Sequence, residues 1–116
     1  MYKFEWNYNS IKSQEDYERF IADMRYDSYP SCNYEQAARL FYDDGNGYYV
    51  MIELQVPTSA MYEDGEIHTP WLDAYEVNGM DDYNESNEID SMRYKNKITY
   101  ENAEELMLTL AKEMCE

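Results

Sequence analysis

The sequence predicts a single α+β domain, in which an antiparallel sheet carries two helices packed on one face and is interrupted by a long acidic insertion. Three observations lead to this prediction: an alternating aromatic run near the start of the chain, two segments with helical periodicity, and a turn-rich stretch before an alternating apolar run. The chain has 116 residues, the length of one ordinary domain with one core. We therefore treat residues 1–116 as one domain and residues 58–91 as the acidic insertion.

The first two elements are a strand and a helix. Large aromatic residues alternate with polar ones at the beginning of the chain, which is the period of a half-buried strand; they are Tyr2, Phe4, Trp6 and Tyr8. Ser13 followed by Asp16 resembles a capping box with Asp in place of Glu. Apolar residues then recur at helical spacing from Tyr17 to Met24, so we expect a helix of about 14 residues that ends near Tyr26.

A β-hairpin is predicted next. Residues 35–42 fit either a helix or a strand, but Asp43-Asp44-Gly45-Asn46-Gly47 is a strong turn signal. Alternating apolar residues from Tyr48 to Val56 follow it. The turn therefore favours a hairpin with strands at 37–43 and 48–56, and an antiparallel sheet.

The second half of the chain has weaker periodicity. Within the insertion we expect a short strand at Asp73–Val77, bounded by turn signals. The insertion as a whole is expected either to form edge strands or to be ordered by its partner. A last strand is predicted at Arg93–Thr99. After it, apolar residues recur with the period of an amphipathic helix; they are Ala103, Leu106, Met107, Leu110 and Met114.

Charge is the most informative property of the chain. It holds 25 acidic and 9 basic residues, giving a formal net charge of −16. No Lys or Arg lies between Arg39 and Arg93, and this stretch contains thirteen of the carboxylates. Such a protein repels nucleic acids and anionic membranes and attracts basic protein surfaces. Because 16% of its residues are aromatic, we expect a folded domain, since disordered acidic segments are poor in aromatics.

The sequence contains no pattern that indicates catalysis or a cofactor. His68 is the single histidine, and no Ser or Cys stands in a nucleophile motif. The run that begins at Asp82 resembles a calcium loop, but Asn87 and Arg93 stand where an EF-hand needs Gly and Glu. We therefore predict no enzyme activity, no cofactor and no metal site. Without a secretory signal or a long apolar run, we expect a cytoplasmic protein with its two cysteines reduced.

The candidate partner-binding residues are carboxylates and aromatic side chains of the acidic insertion. The carboxylates are Glu63, Asp64, Glu66, Asp73, Glu76, Asp81, Asp82, Glu85, Glu88 and Asp90. The aromatic anchors are Tyr62, Trp71, Tyr75 and Tyr83, since such side chains are common interface hot spots. The oligomeric state stays open.

By size, charge, interleaved tyrosines and the lack of a catalytic motif, the chain resembles DNA-mimicking inhibitors of phages and mobile elements, the anti-CRISPR or anti-restriction class. Its −16 charge equals that of roughly 27 Å of duplex DNA. The resemblance implies a decoy that occupies the nucleic-acid-binding groove of a host defence nuclease, with carboxylates in place of phosphates. Alternatives are an immunity protein that neutralises a nuclease toxin, an acidic protein-interaction adaptor, adaptation to high salt, and an enzyme of unrecognised type.

Overall fold

The structure is a computed structural model that describes residues 1–65, 68–77, 88–92 and 97–116, and it describes only the backbone of residues 63, 64 and 88–92. The strands are β1 (Tyr2–Trp6), β2 (Tyr34–Asp43), β3 (Tyr49–Pro57), β4 (Trp71–Val77) and β5 (Glu88–Met92). The helices are α1 (Gln14–Arg25) and α2 (Ala103–Met114), and a 3₁₀ helix spans Met61–Asp64. The predicted α+β class with an antiparallel sheet and two helices is confirmed.

The five strands of the described residues form one antiparallel sheet whose spatial order follows the order of the chain, β1-β2-β3-β4-β5. The predicted hairpin is confirmed as β2 and β3. Gly45 and Gly47 adopt the left-handed conformation, with φ of 84° and 85°, which glycine reaches without a steric penalty. The Asp44 carboxylate holds the turn by accepting hydrogen bonds from the amides of Asn46 and Tyr48 at 2.7 and 3.2 Å.

Both helices pack on one face of the sheet and form the main core with it. Alternate residues of β3 point toward the helices and are fully buried, among them Ile52 and Leu54. Helix α1 begins as predicted, because the Ser13 hydroxyl accepts a hydrogen bond from the Asp16 amide at 3.1 Å. The Asp16 carboxylate in turn accepts from the Lys12 amide at 3.1 Å, one residue before the position that a capping box uses.

The start of α2 differs from the sequence prediction. A strand was expected at Arg93–Thr99. Residues 97–99 do not belong to a β-strand, and residues 93–96 lie outside the described residues. Thr99 instead takes part in a cap before α2. Its hydroxyl accepts a hydrogen bond from the Asn102 amide at 3.1 Å, and the Asn102 side-chain oxygen accepts one from the Thr99 amide at 2.7 Å. This reciprocal pair satisfies two backbone donors that a strand would have left for a ladder.

The acidic insertion contains part of the sheet. The short strand predicted at Asp73–Val77 is confirmed and extends back to Trp71. Strand β5 lies at Glu88–Met92, at the edge of the sheet, where the sequence predicted no specific strand bounds. In the described part of the chain, no helix has both the length and the apolar character that crossing a membrane requires.

Candidate functional site

Three predicted binding residues lie on the face of the sheet opposite the helices, which we call the second face. Trp71, Asp73 and Tyr75 alternate along β4 with residues of the main core, and each is only 5% exposed. Tyr75 packs with Phe41, Met51 and Val77 in a separate apolar cluster. From the sequence, these three side chains were predicted to lie at a binding surface, whereas in this structure they are buried on the β4 part of the second face.

A row of charged residues crosses the second face at right angles to the strands. Glu5, Arg39, Glu53 and Asp73 are successive cross-strand partners from β1 to β4. The Arg39 guanidinium contacts the Glu5 carboxylate at 2.5 Å, and the Trp71 indole donates to Asp73 at 2.9 Å. Glu53 is 2% exposed, and buried charges of this kind are normally paired. We therefore interpret the row as structural.

Glu76 is the predicted carboxylate whose described side chain is exposed. It lies at the end of β4 opposite Val50, close to the Tyr48 hydroxyl. Burial raises the pKa of Tyr48, and the neighbouring Glu76 carboxylate raises it further. Glu76 is therefore available to a partner at the hairpin end of the sheet.

Tyr62, a predicted anchor, is engaged within the protein. Its hydroxyl donates to the carbonyl oxygen of His68 at 2.7 Å, and the Arg25 guanidinium lies 4.9 Å from the centre of its ring. Burial raises the pKa of the Tyr62 hydroxyl, and Arg25 partly opposes this. The contacts tie the 3₁₀ helix to the end of α1.

The remaining predicted site residues fall into two groups. Glu63 and Asp64 end the 3₁₀ helix, and Glu88 and Asp90 pair with Tyr75 and Ala74, but only their backbone is described. The others lie outside the described residues; they are Glu66, Asp81, Asp82, Tyr83 and Glu85.

A pocket that was not predicted from the sequence lies between β1 and α2, and we call it the β1–α2 pocket. Its volume is about 440 Å³, and it is lined by Tyr2, Phe4, Trp6, Tyr100, Glu101, Glu104, Glu105 and Leu108. Tyr100 stacks on Trp6 with 5.0 Å between ring centres, and the Phe4 ring meets Trp6 edge-on at 5.7 Å. Aromatic side chains thus form the floor, and three exposed glutamates stand at the rim.

The pocket has a fixed polar corner. The Tyr2 hydroxyl donates to the Glu104 carboxylate at 2.9 Å, and this contact raises the pKa of Tyr2. None of the lining residues is basic. The sequence contains two features that point to this pocket. Alternation places Tyr2, Phe4 and Trp6 on one face of β1, and all charged residues between Lys97 and Lys112 are acidic.

No candidate metal centre emerges from the residues that the structure describes, because no three or more of their His, Cys, Asp or Glu side chains cluster as ligands. His68 is 8% exposed and lies edge-on to the Tyr62 ring, with 5.5 Å between ring centres. Its position beneath a tyrosine is that of a packed side chain.

Comparison with known proteins gives no relative for this chain: no family model matches it, and neither does any curated protein or solved structure.

Proposed function

We propose that this protein is an acidic decoy that binds the basic nucleic-acid-binding groove of a host defence nuclease, such as a CRISPR effector or a restriction enzyme, and inhibits it. The observation that carries the proposal is the charge of −16 on 116 residues, with thirteen carboxylates and no basic residue between Arg39 and Arg93. A folded domain with this charge is attracted to the same surfaces that attract nucleic acid.

The charge density supports a groove as the target. The molecule is 44 Å long and 26–29 Å across, so its net charge amounts to about one per 2.8 Å of long axis. Duplex DNA carries about one charge per 1.7 Å. The protein therefore has a linear charge density within a factor of about two of that of the natural ligand.

Exposed carboxylates on both helices contribute to the negative charge of the described surface. Exposed carboxylates of α1 include Glu15, Glu18 and Asp23, and those of α2 include Glu104, Glu105 and Glu113. Two of the basic residues are neutralised internally, because Arg19 pairs with Glu15 and Asp16, and Arg39 pairs with Glu5. Each pair also neutralises a carboxylate, so the net charge of −16 is unchanged by the pairing.

Capture followed by competition tests the proposal. The immobilised protein is exposed to lysate that contains nucleic-acid enzymes, captured proteins are identified, and the binding of each purified partner is measured with and without duplex DNA. We expect to capture a nuclease whose affinity for this protein falls steeply between about 50 and 200 mM salt. Duplex DNA should displace this nuclease from the protein. A partner that is not a nucleic-acid enzyme, or one whose binding DNA leaves unchanged, would overturn the proposal. Capture of a nuclease toxin would favour an immunity protein instead.

Charge-neutral variants locate the contact. Changing Asp81, Asp82, Glu85 and Glu88 to Asn or Gln should abolish inhibition of the captured nuclease while thermal unfolding is unchanged. The matched control changes four exposed carboxylates outside the insertion, Glu15, Glu18, Glu113 and Glu116, to Gln. Equal loss of inhibition in both variants would mean that only total charge matters, and the predicted site would be wrong.

A further inference from the structure

The β1–α2 pocket combines two features that recognise a cation. Its floor is built from Tyr2, Phe4, Trp6 and Tyr100, and its rim carries Glu101, Glu104 and Glu105. Aromatic rings attract ammonium and guanidinium groups through the negative charge of their faces. Carboxylates beside the rings add a charge-assisted hydrogen bond for the same group, so an anion or a purely apolar ligand would be the wrong occupant.

The position of the pocket indicates how a ligand would be presented. Strand β1 forms one end of the sheet, and in the described part of the chain nothing pairs with its outer edge. Met1 and Asn7 hydrogen bond to β2 through the Asp43 amide and the Ala37 carbonyl. Because bonding alternates along an antiparallel pair, the backbone groups of Tyr2, Phe4 and Trp6 point to the open edge.

The same three residues therefore offer both backbone and side chains. A strand added to this edge would bond to the backbone of Tyr2, Phe4 and Trp6, as in β-strand addition. Every second side chain of that strand would lie on the face that carries the pocket. One basic side chain in such a segment would reach the aromatic floor and the glutamate rim together.

We propose that the β1–α2 pocket binds a lysine or arginine side chain carried on an extended segment of a protein partner that adds to the free edge of β1. The inference deepens the proposed function and rests on it for the choice of a basic protein as partner. It assigns recognition to a surface outside residues 58–91, with β1 and α2 as its two sides.

Nuclear magnetic resonance of the two tryptophans tests the proposal in the intact protein. The probe is a short blocked peptide of threonine and valine with one central lysine, and its control has uncharged norleucine at that position. We expect the indole N–H of Trp6 and the amides of Tyr2, Phe4 and Trp6 to shift saturably with the lysine peptide. The indole of Trp71, on the second face, should stay in place. Equal binding of the norleucine peptide, or no shift at Trp6, would overturn the proposal.

Two variants of equal net charge distinguish specific binding in the pocket from general electrostatic attraction of the peptide. One changes Glu101, Glu104 and Glu105 to Gln, and the other changes Glu18, Glu113 and Glu116 to Gln; each carries a formal charge of −13 instead of −16. All six side chains are exposed, so both variants should fold. We expect about tenfold weaker peptide binding in the first, from three lost surface charge contacts, and a change below about twofold in the second. Equal weakening in both would refute a specific pocket.

The outcomes for the pocket and for the decoy function are distinguishable. If Trp6 does not respond to the lysine peptide while a captured nuclease is still displaced by DNA, the pocket proposal fails and the decoy function stands. If the peptide binds at Trp6 but no nucleic-acid enzyme is captured, the pocket stands and the decoy function fails.

Discussion

Replacing Tyr17 by Phe should destabilise the protein through one buried hydrogen bond. Tyr17 lies in the first turn of α1, is 0% exposed, and donates its hydroxyl to the carbonyl oxygen of Ile98 at 3.1 Å. This bond joins α1 to the segment before α2, 81 residues along the chain. Phenylalanine keeps the ring and its packing, so the change removes the donor alone.

The loss of stability in Tyr17→Phe follows from the Ile98 carbonyl oxygen, which loses its hydrogen-bond donor. A buried carbonyl without a partner costs about 1–3 kcal/mol, and we expect the lower half of that range, about 1–2 kcal/mol, because one oxygen of one peptide group is affected. The entropy of unfolding is about 2.1 cal/mol/K per residue, or roughly 0.24 kcal/mol/K for this chain. The melting temperature should therefore fall by about 4–8 °C.

Urea unfolding followed by circular dichroism measures the free energy of unfolding, with an unchanged slope as the sign that only stability has changed. Tyr29→Phe is the matched control, because Tyr29 is 92% exposed and should change stability by less than about 0.5 kcal/mol. If Tyr17→Phe is as stable as the control, the Ile98 carbonyl does not depend on Tyr17 and the reasoning is refuted.

Two further predictions concern stability. Ser13→Ala should cost about 1 kcal/mol, because the Ser13 hydroxyl caps α1, whereas the exposed Ser10 should tolerate Ala; equal unfolding midpoints in urea would contradict this. High pH should unfold the protein, because burial raises the pKa of Tyr8 and Tyr17. The folded state keeps protons that the unfolded state releases, so this stability is full below about pH 10 and is lost as the pH rises through the raised folded values. Spectrophotometric titration that shows every tyrosine ionising near 10 without unfolding would contradict the second prediction.

Much of the fold follows from local patterns in the sequence. The turn at Asp43–Gly47 decided the assignment of residues 35–42, and the structure confirms a strand there. The pattern at β2 is blurred by a register shift between Gln36 and Ala38, which leaves both Ala37 and Ala38 buried in the main core. Such a bulge interrupts the alternation of buried and exposed residues along the strand. The neighbouring turn therefore predicted the strand better than the periodicity of its residues did.

Other parts depend on long-range packing. Thr99 has the β-branched shape of a strand residue, but its side chain bonds to the Asn102 amide. This local hydrogen bond competes with a strand at residues 97–99, where the strand prediction is wrong. Trp71 and Tyr75 looked like surface anchors within an acidic segment, whereas β4 is buried on both faces. Two-sided burial removes the alternation that marks which side chains point outward.

The β1–α2 pocket could not be derived from the sequence because its sides are far apart in the chain. Residues 2–6 supply one side and residues 100–108 the other. Each part had an ordinary interpretation alone, as a half-buried strand and as an exposed helix surface. Only the packing of α2 beside β1 places the glutamates over the aromatic rings.

The sequential order of the sheet has a kinetic consequence. Since each of the strands β1–β5 pairs with its neighbour in the chain, the β2–β3 hairpin can form first around its short turn, on the microsecond timescale of isolated hairpins. Each later strand then adds to an existing edge, so the entropy of closing loops is lost in small steps. The β1–α2 pocket, which joins the two ends of the chain, is expected to be among the last features to assemble.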